Sequence, residues 1–196
     1  MQNSLLMIRR PSEVIRESVI MLRKPNCKIF IFLNFSNKLN DLEFKRLSYA
    51  YPDLEVIKDG ISNSDIYQGE LGDCYLLSSI ASIAENPKRI ERLLLQRKRS
   101  PKGAYCVALC VNGEFQEIMI DDLIPVKKAN SRLAFCHSKE QEIWAIILEK
   151  AYAKYYGGFW NMGSGGQATE ALFDLTGAPS EWIDLKEPDN KAKLFD

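Results

Sequence analysis

Among the residues able to do covalent chemistry, Cys74 stands in the most informative surroundings: Gln68-Gly69-Glu70-Leu71-Gly72-Asp73-Cys74-Tyr75-Leu76-Leu77. The stretch reads as a glycine-bearing turn running into an apolar helix. Apolar side chains fall at helical spacing over 76–84, and Asn86-Pro87 supplies the stop. The pattern therefore predicts Cys74 at or near a helix N-terminus, where free backbone N–H groups and the helix dipole favour a thiolate and raise its nucleophilicity. Gln68, six residues upstream across the turn, can bring its side-chain amide beside the Cys74 backbone N–H. Two such donors would form an oxyanion hole. Gly69 and Gly72 read as places where a sharp turn needs backbone conformations that other residues avoid. Taken alone, a cysteine at a helix start is as well described as a small hydrophobe. The glutamine, the two glycines and the cysteine at fixed offsets carry the chemical reading.

That run resembles the nucleophile segment of the calpains, intracellular calcium-dependent cysteine endopeptidases. Their pattern is Gln-Gly-x-Leu-Gly-Asp-Cys-Trp, and only the final Trp is replaced here, by Tyr75. The resemblance implies a papain-like arrangement with Cys74 as nucleophile, Gln68 in the oxyanion hole, a histidine base and an asparagine that orients it. Upstream, Ile57-Lys58-Asp59-Gly60-Ile61-Ser62-Asn63-Ser64-Asp65-Ile66 is similar to the family's Val-Asp-Gly-x-x-x-x-Asp-Ile stretch. The likeness implies a Ca2+ ion held by the carbonyls of Lys58 and Gly60 and by Asp65. Glu142, before Ile143-Trp144, matches a further ligand, and hard oxygen donors suit this cation. Read without the resemblance, Asp65 and Glu142 are ordinary surface carboxylates. Asn63 stands where the family commonly has an arginine that pairs with the other half of the core.

The resemblance continues downstream. Leu148-Glu149-Lys150-Ala151-Tyr152-Ala153-Lys154 matches the family's Leu-Leu-Glu-Lys-Ala-Tyr-Ala-Lys almost letter for letter, and Ser164-Gly165-Gly166 matches its Ser-Gly-Gly. This implies that Gly165 and Gly166 line the non-primed side of the cleft, where bare backbone meets an extended substrate peptide. A turn before a helix accounts for the same residues on local grounds. His137 is the only histidine. It lies in a Leu-x-Phe-x-His-Ser segment whose histidine is not the family's base, so it is expected to be structural. The Gly-His-Ala-Tyr-like and Asn-Pro-Trp-Gly segments that supply base and orienter do not occur in these 196 residues. Residues 46–196 are accordingly expected to form the first, nucleophile-bearing subdomain, with 1–45 an unassigned extension and the second subdomain absent. Two functions stay open. One is a calcium-dependent cysteine endopeptidase acting on polypeptides once a second half of the core is supplied, and inactive without it. The other is a non-catalytic calpain-like domain that binds a peptide or protein.

The elements that would position these residues give an α+β class, the nucleophile-helix half of a papain-like cysteine protease fold with a small antiparallel hairpin. Helices are expected over 11–23, 90–97, 142–156 and 168–175, and a strand over 27–34. Residues 105–111 alternate, Asn112-Gly113 is a strong hairpin signal, and 114–121 returns as the partner strand. Asp121-Asp122 invites an acid/base or metal reading, but a turn at a strand end explains it better. Lys and Arg number 26, as do Asp and Glu, so nothing argues for nucleic acid. Five cysteines without paired spacing, one histidine and no Cys-x-x-Cys argue against disulfides and zinc and for the cytoplasm. No apolar run approaches the roughly twenty residues a membrane helix needs.

Overall fold

The structure, a computed structural model, describes residues 41–51, 53–138, 142–184 and 186. The helix expected over 11–23 and the strand over 27–34 lie outside them. In chain order the elements are β1 (Leu42–Arg46), α1 (Leu47–Ala50), a 3-10 turn (Asn63–Asp65), α2 (Cys74–Ala84), α3 (Pro87–Leu93), β2 (Ala104–Val111), β3 (Glu114–Asp121), β4 (Leu123–Lys127), α4 (Trp144–Tyr155), α5 (Phe159–Met162) and α6 (Ala168–Thr176). Helices with two small antiparallel sheets make this an α+β fold.

The expected hairpin is β2–β3, in register from Ala104↔Asp121 to Val111↔Glu114. Its two-residue turn puts Asn112 at φ 54° and Gly113 at φ 85°, the left-handed pair that matches strand twist. Tyr105, Val107, Leu109 and Val111 all reach the core, as their alternation predicts. A second sheet was not anticipated: β1 pairs with β4, from Leu42↔Lys127 to Arg46↔Leu123, so that β1 runs across residue 45. Pro125 lies within β4, where its missing N–H costs no bond to β1: residue 125 faces the other edge, its carbonyl accepting from the Ala134 N–H at 3.1 Å. Asp121 ends β3, and the buried Asp122 sits at the bend before β4. The Asp122 carboxylate accepts from Arg46 at 2.6 Å, and its carbonyl accepts from the Leu47 N–H at 2.9 Å. Lys150 on α4 donates to the Asp121 carboxylate and to the Leu123 carbonyl. Both aspartates thus tie the sheets together.

Three helix boundaries differ from expectation for local reasons. Asn86-Pro87 ends α2 but also opens α3, because a proline at the first helical position gives up no hydrogen bond. Residue 94 then leaves the helix to bridge Val107. Further on, α4 starts at Trp144, not Glu142, because the N–H groups of Ile143 and Trp144 are committed to the carbonyls of Glu55 and Val56, at 3.0 and 3.1 Å. Gly157 and Gly158, both at positive φ, end the helical run before α5.

The core gathers on α4, whose Trp144, Leu148, Ala151 and Tyr152 have no exposed surface. Leu76 and Ile80 of α2 are equally buried in the same cluster. Apolar burial on this scale is what holds α2 in place. Ile80→Ala is expected to destabilise the fold by about 2–5 kcal/mol. Urea unfolding checks this through a lower midpoint at an unchanged slope.

Candidate active site

Cys74 is the first residue of α2, as its surroundings predict, and Asp73 precedes it as the cap residue. The Asp73 carbonyl accepts from the N–H groups of Leu76 and Leu77, at 2.9 and 3.1 Å. Cys74 is exposed, while Cys106, Cys110 and Cys136 are free but buried. Burial pushes the thiols of Cys106 and Cys136 up, which keeps them protonated and unreactive. Gln68 lies at the other end of the turn, and its Nε2 donates to the Leu71 carbonyl at 2.7 Å. A primary amide carries two hydrogens, so this bond fixes the group and leaves a second donor for a ligand.

Gly69 and Gly72 have a different purpose from the one the sequence implied. Neither adopts a positive φ. What they require is space. A Cβ on Gly69 would overlap the carbonyl oxygens of Ala134 and Phe135, and one on Gly72 would stand 2.5 Å from the carbonyl oxygen of Gly163. Backbone bonds follow the contact: Tyr67 and His137 exchange N–H···O bonds of 2.9 and 3.0 Å, and the Glu70 N–H reaches the Ala134 carbonyl at 2.9 Å. The turn is layered backbone on backbone between the 133–137 segment and residue 163.

Tyr75 joins Cys74 to the glycine turn. Its hydroxyl donates to the Met162 carbonyl at 3.2 Å, and its ring meets Tyr152 edge-on. Burial, with nearby carboxylates, pushes its pKa up to about 12. A Cβ on Gly166 would lie 2.6 Å from this ring, so Gly166 must be bare. Gly165, at φ 98°, has nothing around its Cβ position and offers exposed backbone. Gln68 and Cys74 therefore share one turn, and Gly166 packs on the residue next to Cys74.

His137 takes no part in this group. Its ring stacks on Tyr67 with centroids 5.6 Å apart, and its Nδ1 lies 3.2 Å from the Phe135 carbonyl oxygen. It lines, with Gln68, Lys127, Arg132 and Glu142, a cavity of about 620 Å³ whose wall does not include Cys74.

Of the four residues expected to hold Ca2+, the structure brings Glu142 against the Lys58–Gly60 loop. Glu142 Oε1 accepts from the N–H groups of Lys58 and Asp59, at 2.7 and 3.1 Å, and Oε2 accepts from the Trp144 indole at 2.8 Å. This buried carboxylate is thus satisfied by three donors. Asp65 Oδ2 accepts from the Ser62 N–H at 2.9 Å, closing a capping box on the 3-10 turn. Gly60, at φ 106°, has open space at its Cβ position. The oxygen chemistry fits a hard cation, but in this conformation the loop turns N–H groups, not carbonyls, toward Glu142. Asn63 donates to Glu85 at the end of α2, a contact with this half of the core.

Compared with known families, residues 24–196 match the calpain family cysteine protease. The chain belongs to the calpain family. It is 37% identical over 158 residues to the human (Homo sapiens) calpain-2 catalytic subunit, covering 79% of this chain and 22% of that protein. Against the calpain-1 catalytic subunit of Macaca fascicularis the identity is 36% over 156 residues, 78% of this chain and 21% of the relative. Against the calpain-type cysteine protease DEK1 of Zea mays it is 37% over 139 residues, 71% of this chain and 6% of the relative. The chain spans about a fifth or less of the length of these calpains. The family match begins at residue 24, within the stretch read as an extension.

The glycine layer has a measurable consequence. Gly69→Ala forces carbonyl oxygens apart and is expected to cost about 1–3 kcal/mol. Gly113→Ala meets open space and is expected to cost only about 1 kcal/mol, the penalty of a positive φ. Thermal unfolding of the two variants in parallel checks the order.

Proposed function

We propose that Cys74 is the nucleophile of a calcium-dependent cysteine endopeptidase, and that these residues form the nucleophile-bearing half of its papain-like core. The observation that carries the reading is Cys74 itself, an exposed thiol at the first residue of α2 with the Gln68 amide anchored in the same turn. In the proposed reaction Cys74 Sγ attacks the scissile carbonyl carbon. The Cys74 N–H and the second Gln68 N–H receive the developing oxyanion. Gly165 and Gly166 give the substrate peptide bare backbone to lie against. An imidazole then protonates the departing amine, and water hydrolyses the thioester.

His137 is the only histidine and is engaged with Tyr67 and Phe135. The base and its asparagine would therefore come from a second half of the core, outside these 196 residues. Lacking an acid for the leaving amine, the 196-residue chain alone is expected not to turn over peptides. Ca2+ would be held by the Lys58 and Gly60 carbonyls, Asp65 and Glu142, and when bound would order the loop beside Glu142. The free thiols among the described residues support a reducing, cytoplasmic setting. No helix among the described residues is long and apolar enough to cross a membrane. The engaged His137 also favours a second reading, a non-catalytic domain that binds a peptide or protein chain.

Cleavage of a fluorogenic peptide separates the two. The polypeptide carrying both halves is expected to show calcium-dependent turnover that Cys74→Ser lowers by about 10³-fold or more. Turnover that survives Cys74→Ser overturns the nucleophile assignment, and none in the complete polypeptide favours the binding domain. Calcium is expected to raise the thermal midpoint of the chain, and Asp65→Asn to remove that rise.

A further inference from the structure

Asp73 precedes the nucleophile, and aspartate at a helix start ordinarily caps it, its carboxylate accepting from N–H groups of the first turn. Here it does not: the Asp73 side chain makes no capping bond. The residue has no exposed surface, and neither carboxylate oxygen meets an N–H or hydroxyl donor. What it faces is the carboxyl group of Glu149 on α4, itself 2% exposed. One Glu149 oxygen accepts from the Cys136 N–H at 3.0 Å. The neighbouring cation is engaged elsewhere, Lys150 with Asp121 and Leu123. The other titratable groups around the pair are the Tyr75 phenol of α2 and the Cys136 thiol, both held neutral by burial.

Two carboxyl groups form a hydrogen bond only if one carries a proton, and two buried charges in contact without a cation are excluded on electrostatic grounds. We propose that Glu149 is a positioning residue for Cys74: it keeps its proton at neutral pH and donates it to the Asp73 carboxylate, holding that carboxylate inward and away from the N–H groups at the start of α2. The N–H groups of Leu76 and Leu77 are taken by the Asp73 carbonyl, so with the side chain turned inward no carboxylate competes with a substrate oxyanion for the Cys74 N–H or stands beside the Cys74 sulfur. The positioning role rests on the reading of Cys74 as nucleophile; the shared proton does not. Burial, then the Asp73 charge, raises Glu149 well above its ordinary value of 4.5, in keeping with the geometry.

The sign of the pH dependence follows. The stabilisation from a raised carboxyl is complete below the unfolded value and is lost as pH rises through the folded one. Glu149→Gln keeps a donor for Asp73 and an acceptor for the Cys136 N–H but cannot ionise. Thermal midpoints of the chain and of Glu149→Gln should coincide near pH 4, and the variant should gain on the parent steadily toward pH 8. Parallel curves over this range overturn the shared proton. Positioning is read by the rate at which iodoacetamide modifies Cys74, mapped by mass spectrometry, at pH 7. Glu149→Ala should slow it about tenfold, and Glu149→Gln should restore most of the loss. Equal rates in the two variants overturn the positioning role; if Glu149→Ala does not fold, a rate in Glu149→Gln tenfold below the parent does so. A parent Cys74 that reacts no faster than the buried cysteines sinks the nucleophile reading and leaves the midpoint comparison intact.

Discussion

Two missing side chains set the position of everything around Cys74. Because Gly69 and Gly72 have no Cβ, the turn before the helix lies directly on the carbonyls of Ala134, Phe135 and Gly163. Such contacts leave no room for rotamer adjustment, so the turn is fixed by main-chain atoms alone. Gln68 is held at one end of this layer by Leu71 and Cys74 at the other by α2. Tyr75 carries the constraint onward, its hydroxyl on Met162 and its ring beneath Gly166. Cys74, the Gln68 amide and the exposed backbone of residue 165 are therefore parts of one packed unit.

Around that unit the chain buries several carboxyl groups, each neutralised by a different means. Glu142 is satisfied by two backbone N–H groups and an indole. Asp174 accepts from the hydroxyls of Tyr152 and Tyr156, at 3.0 and 3.1 Å. Asp122 has Arg46. Asp73 has only another carboxyl group. A buried polar group without a donor is costly, so this arrangement persists only with a proton between the two. It is also the pair that includes the residue before Cys74, where the placement of a charge bears on the thiol.

The local signals in the sequence are those with a single physical meaning. Asn112-Gly113 allows one kind of tight hairpin, and the hairpin is there. Gly177 closes α6 in the left-handed conformation, at φ 68°, with the helix ending at Thr176, one residue beyond the expected end. Signals with two meanings are misread. A glycine is chosen either for its freedom or for its lack of a Cβ, and only the packing around residues 69 and 72 shows which. Pro125 argues against a strand until the fold shows residue 125 facing away from its partner β1, and β1 itself carries no motif. Glu149 looks like a surface residue beside the apolar stripe of α4, because nothing local reveals that Asp73, 76 residues away, lies against it. Lys58 and Asp59 turn their N–H groups to Glu142, an orientation of the peptide units set by the tertiary contact and not by any local signal.

The claim that Cys74 is a preassembled nucleophile is tested most directly by asking which cysteine of the folded chain a peptidyl epoxide modifies. An epoxide is opened by a thiolate and its peptide portion needs a cleft, so the reagent reads reactivity and binding together. The account predicts that Cys74 is modified much faster than Cys27, Cys106, Cys110 or Cys136. Adducts spread over these cysteines at similar rates, or none on Cys74, would contradict it.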